Sequence, residues 1–439
     1  MKGARHVFRR IAALAAALMA LAALARAETL CLVAPEIVAL TDGEGNVLLG
    51  GDDIEEVFTV REGALYAAGA RGDYRLYDAE GKPLGQTRFS MIDDAGDCLI
   101  YRSGGLFGAM DASGNGLLPA AWTQLVPNGE GGFLALDGDP LDDRPDGIIC
   151  IDPDGEALPT GVSTASGLSR VLHGRMPYMD PEGRYGATDA RGKAVIRPVW
   201  RAMSPFEGGV AKVYGDGGAG LIGRDGRELL PPVHRWLERS AALLAAARED
   251  RVEVYGPDGR QRLFAVEGEA LEAALVGDAL CVSCDDWTRL YGADGRVIAE
   301  AGPGVVFASG VGGQYIVADG AWGEPCQRLI DPDGSPASGG FQRLLPLCAG
   351  RYAFMEMPGT EYYSEDLGGI ATSWRYEKAR WGIVDAAGGI VLPARYLEIR
   401  AVGEDRLLLR DGDGAYLTDP DGNIIRAFEA EAPSAGASA

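Results

Sequence analysis

Asp189-Ala190-Arg191-Gly192-Lys193-Ala194-Val195-Ile196 decides the fold, together with its continuation through Pro198-Val199-Trp200 to Phe206-Glu207-Gly208-Gly209-Val210-Ala211-Lys212-Val213. It reads as a corner, a strand and the strand after that. The aspartate heading D-x-x-G accepts hydrogen bonds from backbone N–H groups two residues on. The glycine takes positive φ, which other residues resist. A three-residue loop with Gly in the left-handed position is a common hairpin closure.

The corner recurs along the whole chain. Its glycine stands at Gly45, Gly81, Gly114, Gly155, Gly192, Gly226, Gly259, Gly295, Gly334, Gly388 and Gly422, at a mean spacing of about 38 residues. Three residues earlier there is an aspartate in eight of the eleven cases: Asp42, Asp78, Asp111, Asp152, Asp189, Asp331, Asp385 and Asp419. Gly223, Gly256 and Gly292 occupy the other three places. Alternating or β-rich runs flank the corners, as in Tyr74-Arg75-Leu76-Tyr77 and Val252-Glu253-Val254-Tyr255. Short strands with regular turn signals predict an all-β repeat fold. Only Ser240 to Arg248 has a helix-forming composition; the repeat register places a strand there, equivalent to Val210–Val213.

Three units carry more of the pattern. Phe107-Gly108, Tyr185-Gly186 and Trp381-Gly382 each precede a corner, and each is followed by an apolar strand running into Pro and an aromatic. The pattern resembles that of the bacterial WG-repeat family, with the literal Trp-Gly only at Trp381-Gly382 and degenerate units elsewhere. That resemblance implies a repeat-built β protein and no particular activity. We expect about eleven units of three to four strands, β-propeller-like, the alternatives being an open β-solenoid or two smaller propellers.

The chain has 439 residues with a formal net charge of −23, and 64 of them are glycine. Apolar residues make up 47%, enough for a large core and too many for disorder. Residues 1–27 read as a bacterial export signal: Lys2, Arg5, Arg9 and Arg10, an apolar run Ile11–Leu24, then Ala25-Arg26-Ala27 as a small-x-small cleavage site. No other stretch is long and apolar enough to span a bilayer. The expected mature protein is acidic, secreted or held in the envelope, with a repeat domain over 28–428 and a frayed tail over 429–439. Its charge argues against nucleic acid as a partner.

Seven cysteines fall after the leader: Cys31, Cys98, Cys150, Cys281, Cys284, Cys326 and Cys348. The odd count leaves at least one thiol unpaired. Cys281-x-x-Cys284 lacks the second ligand pair of a zinc site and reads as strand cysteines or a structural disulfide. Asp152-Pro153-Asp154-Gly155, Asp331-Pro332-Asp333-Gly334 and Asp419-Pro420-Asp421-Gly422 read as turns rather than calcium loops, because further acidic ligands are missing. Asp137 to Asp146 holds five carboxylates at the wrong spacing for an EF-hand and reads as a solvated acidic loop. We expect no metal and no cofactor.

The one long interval, Gly334 to Gly388, contains an insertion near Met357–Lys378. Its Tyr362, Tyr363, Trp374 and Tyr376 are the binding residues the sequence favours, since long insertions in repeat proteins fall on one face and exposed aromatics anchor peptides or sugars. Only His173 and His234 follow the leader, and no nucleophile elbow, P-loop or H-E-x-x-H occurs. The expected function is a non-enzymatic scaffold for a protein, peptide or glycan. The alternatives are a carboxylate-dependent glycoside-active propeller and a purely structural envelope component.

Overall fold

The computed structural model describes residues 28–136, 146–269, 271–319, 327–356, 363–364, 372–373 and 379–429. The expected leader, nearly all of the acidic loop, Cys326 and most of the long insertion lie outside the described residues. Among those described there is no α-helix, only one 3-10 turn at Val311–Gly313. The strands form eleven antiparallel blades in chain order, at 29–50, 56–89, 91–122, 124–164, 175–200, 202–234, 236–267, 272–301, 306–330, 343–396 and 398–429. Blades 1, 5 and 9 have three strands and the others four. A two-stranded hairpin, Tyr363–Ser364 with Thr372–Ser373, is a separate small sheet.

Each corner joins the last two strands of its blade, or its equivalent in blade 9. In blade 1, Gly45 N–H donates to the Asp42 carbonyl at 2.9 Å, while Asp42 Oδ1 accepts from the N–H groups of Glu44 (3.0 Å) and Asn46 (2.8 Å). The corners at Asp78, Asp111, Asp152, Asp189, Asp385 and Asp419 repeat this double clamp. Where glycine replaces the first aspartate, the carboxylate has moved two places on: Asp225, Asp258 and Asp294 accept from Arg227, Arg260 and Arg296 N–H. All eleven glycines have φ between +71° and +89°.

The aromatic-glycine pairs have a separate cause. In blade 10, Trp381 faces Tyr396 but Ile383 faces Leu392, so two steps on the third strand match four on the outer strand. Blades 3, 5 and 6 show the same wide bulge. Pro119, Pro198, Pro232 and Pro393 stand in these bulges, where a missing N–H costs little. The bulge presses on the strand next to it. A Cβ on Gly186 would lie 2.5 Å from the Ile196 carbonyl oxygen, and one on Gly382 2.5 Å from that of Leu392.

Eleven apolar clusters hold the blades, one at each seam. Leu40 of blade 1 packs with Val57, Tyr66 and Ala68 of blade 2. At the other end, Leu408, Ala415 and Leu417 of blade 11 pack with Leu30, Leu32 and Ala34 of blade 1. That last seam also carries hydrogen bonds from Arg406 Nε to the Gly43 carbonyl (2.9 Å), from Glu404 N–H to Glu28 Oε1 (2.7 Å) and from Arg426 Nη1 to Asn46 Oδ1 (3.0 Å). The chain therefore forms one closed ring of eleven blades, a β-propeller, and neither two smaller propellers nor an open solenoid. Neighbouring first strands approach one another, as Trp236–Arg239 approaches Glu272–Val276, so the first strands form the inner wall.

Ser240–Arg248 follows the register: Leu244–Ala247 is a strand whose four residues are all buried. Glu429, placed in the tail by the sequence, instead ends the last outer strand, opposite Gly414.

The corner glycines also dock on the preceding blade. A Cβ on Gly81 would stand 2.8 Å from the Leu48 carbonyl oxygen of blade 1, whereas one on Gly155 would meet open space. Gly155→Ala should cost about 1 kcal/mol, the left-handed conformation alone. Gly81→Ala should cost clearly more, because backbone must move. Equal losses in denaturant melts would refute the docking role.

Candidate interaction surface

The topology sorts the loops onto two faces. The eleven repeat corners share one face with the first-to-second-strand turns of the four-stranded blades. The second-to-third-strand turns of blade 9 and of the four-stranded blades share the other with the links between blades. The longest second-to-third-strand connections, in blades 4, 9 and 10, run through 137–145, 319–326 and 357–379. All three are rooted on the face opposite the corners.

Of the residues the sequence favoured for binding, Tyr362, Trp374 and Tyr376 lie outside the described residues. Only the backbone of Tyr363 is placed, pairing with Ser373 in the small hairpin.

On the same face, three arginines stack on aromatic rings. Arg289 lies 4.2 Å from the centre of the Trp287 ring, Arg395 4.9 Å from Tyr396 and Arg102 5.7 Å from Phe107. Phe107 and Tyr396 belong to the cross-strand aromatic positions of the repeat. Sequence reading missed these pairs, since each arginine looks like ordinary solvated charge.

The corner face carries a cleft of about 1170 Å³ across the closing seam, lined by Glu28, Asp42, Glu62, Glu80, Glu404 and Asp405 among others. Burial pushes the Glu28 carboxyl up, and the adjoining Asp405 carboxyl pushes the same way. Among the described residues, no three His, Cys, Asp or Glu side chains converge as metal ligands.

Cys281, in the strand Ala279–Ser283, and Cys284, just beyond it, are free thiols. Burial pushes the Cys281 thiol up to about 11, the opposite of an activated redox thiol. Two of the three D-P-D-G runs are clamped corners. In the third, Asp331 takes Gln314 Nε2 at 2.8 Å, and Asp333 holds Ser335 N–H instead.

One buried ionic cluster was also missed. Glu253, on the third strand of blade 7, is 4% exposed. Around its carboxylate stand Arg251 Nε (3.2 Å), Arg248 Nε (3.3 Å), Arg262 Nη1 (3.6 Å) and the buried His234 Nε2 (3.7 Å). His234 Nδ1 lies 3.2 Å from the Ala219 carbonyl oxygen of blade 6. Burial alone would raise the Glu253 carboxyl, but the three guanidiniums outweigh it and hold it below the usual glutamate range.

No protein-family model matches the chain, and no curated protein does either. Solved structures resemble it only distantly. BamB from Moraxella catarrhalis is 15% identical, over 59% of this chain and 90% of that one, with a TM-score of 0.32. A eukaryotic initiation factor is 10% identical over 92% and 96%, with a TM-score of 0.41. PorZ, a bacterial surface component of the type-IX secretion system of Porphyromonas gingivalis, is 11% identical over 89% and 70%, with a TM-score of 0.24. The likeness is one of fold alone.

Glu253→Gln should strand three arginines and lower stability by about 3 kcal/mol at neutral pH. A carboxylate held below its unfolded value stabilises above the ordinary glutamate pKa of about 4.3, and that contribution is lost as pH falls through the lower folded value. Urea melts should therefore show the gap between variant and parent closing below about pH 4. A gap that persisted at acid pH would refute this account.

Proposed function

We propose that this protein is an exported, non-enzymatic ring that binds a protein, peptide or glycan on the face opposite its Asp-Gly corners. One observation carries the reading: the longest connections between strands are rooted on that face, beside arginines stacked on aromatic rings. Aromatic and arginine side chains dominate the energetics of recognition surfaces. The rigid ring supplies a scaffold and the variable second-to-third-strand connections supply specificity, the usual division between framework and loops.

Export rests on the leader motif alone. No described helix is long and apolar enough to cross a membrane. We further propose a WG-type repeat ancestry. In support, Phe107-Gly108, Tyr185-Gly186 and Trp381-Gly382 occupy equivalent places, near the start of the strand next to the outer one and opposite its bulge.

Immobilised protein should retain a specific component of the envelope fraction of its own cells. Trp287→Ala combined with Arg289→Ala, or removal of residues 359–376, should abolish retention, while Glu62→Gln on the corner face should not. Retention indifferent to all three changes would favour a structural envelope role. Reducing ends released with turnover from a polysaccharide panel would replace the scaffold reading with a glycoside-active one.

A further inference from the structure

A second site lies inside the wall. Between blades 6 and 7 is a cavity of about 220 Å³, lined by Ser204, Pro205, Glu207, Val210, Lys212, Leu221, Leu237, Glu238 and Arg239. Val210, Leu221 and Leu237 belong to the apolar cluster of that seam, so one side of the cavity is greasy. The other side is polar, and nearly every polar group there is already engaged. Arg239 donates to the Glu207 carbonyl at 2.8 Å and to its carboxylate at 3.2 Å. Glu238 accepts Leu275 N–H at 3.2 Å. Ser204 Oγ accepts Lys212 N–H and donates to the Pro205 carbonyl, both at 3.0 Å.

The exception is the Lys212 ammonium. Lys212 is half-buried. Its Nζ donates to the Leu237 carbonyl at a long 3.3 Å and stands 5.5 Å from the centre of the Tyr214 ring. It makes no ion pair among the described residues. An ammonium has three donors, and a charge withdrawn from water is costly unless it is matched. In a chain with 64 acidic and 41 basic side chains, a half-buried lysine whose ammonium no described carboxylate reaches can take a negative group from outside.

We propose that this cavity binds a small aliphatic monocarboxylate. Its carboxylate meets the Lys212 ammonium, and its hydrocarbon chain lies against Val210, Leu221 and Leu237. Size limits the ligand: at about 30 Å³ per water, the cavity holds the equivalent of roughly seven waters, hence a chain of about four carbons. Charge limits it further. Arg239 neutralises Glu207, but Glu238 keeps its charge beside the same space, so Lys212 can match one added carboxylate and nothing matches a second; a dicarboxylate is excluded. The site is independent of the partner-binding face, because the Ser204–Glu207 segment leads from the first to the second strand and so belongs to the corner side of the ring.

Calorimetric or NMR titration of the intact protein with butanoate tests this. A saturable response in about the millimolar range is expected, confined in NMR to seam residues such as Val210 and Leu237. Butanamide, which keeps the shape without the charge, should bind at least tenfold more weakly. So should succinate, and so should inorganic phosphate, which has no chain for the apolar wall. Lys212→Met keeps the aliphatic stem and should lose butanoate binding. Because both neutral and doubly charged ligands are compared on the parent protein, the proposal does not depend on that variant folding. No saturation by about 50 mM butanoate, equal binding of butanamide, or undiminished binding by folded Lys212→Met would each overturn it.

Discussion

The ring depends on one contact made at ten of its eleven seams: an aspartate-clamped corner whose glycine lies against the blade before it. The glycine is required twice. Its positive φ turns the chain back on itself, and at most seams its missing side chain lets two backbones or a backbone and a side chain meet. Gly81 sits on Leu48, Gly226 on Ile196, Gly295 on Phe264 and Gly422 on Leu392. Gly45 repeats the contact on Arg426 and Leu417 of the last blade. Because that seam uses the same joint as the others, the ring closes without a special device. Among the described residues, no strand crosses from one end of the chain to complete a blade at the other. Apolar packing and a few arginine hydrogen bonds seal it.

Much of this was legible in the sequence because the corner is local chemistry. Asp42 reaches only as far as Asn46, and a glycine's φ is its own affair, so the signature survives in a string of letters. Even the three apparent exceptions obey it. In Gly223-Arg224-Asp225-Gly226 and its two relatives, the aspartate merely clamps from two places later. Closure was not legible, because the pairs that decide it, such as Arg406 with Gly43, lie more than 360 residues apart. The Glu253 cluster was hidden for a different reason. Val252-Glu253-Val254 alternates as a half-exposed strand does, and only the fold shows that both sides are covered. Ser240–Arg248 illustrates tertiary context winning over propensity: between two tightly packed neighbours, small alanines serve a strand as well as they serve a helix.

The two faces divide labour along the same lines. Corners are constrained by the joint they make, so their face is repetitive. The second-to-third-strand turns make no such joint, and insertions there leave the seams undisturbed. That asymmetry explains why the chain's irregular stretches fall where they do. It also explains why the sequence located an insertion but not its setting: the arginine-aromatic pairs beside it are assembled from strands whose own letters look unexceptional.

A ring of eleven asks each seam to turn the chain by only about 33°, and ten or twelve members would alter that by about 3° apiece. Joints made of side chains and small clusters absorb such a change easily. Circumference is therefore set by the number of units in the chain, and gaining or losing one would widen or shrink the ring while every remaining wall segment keeps its design.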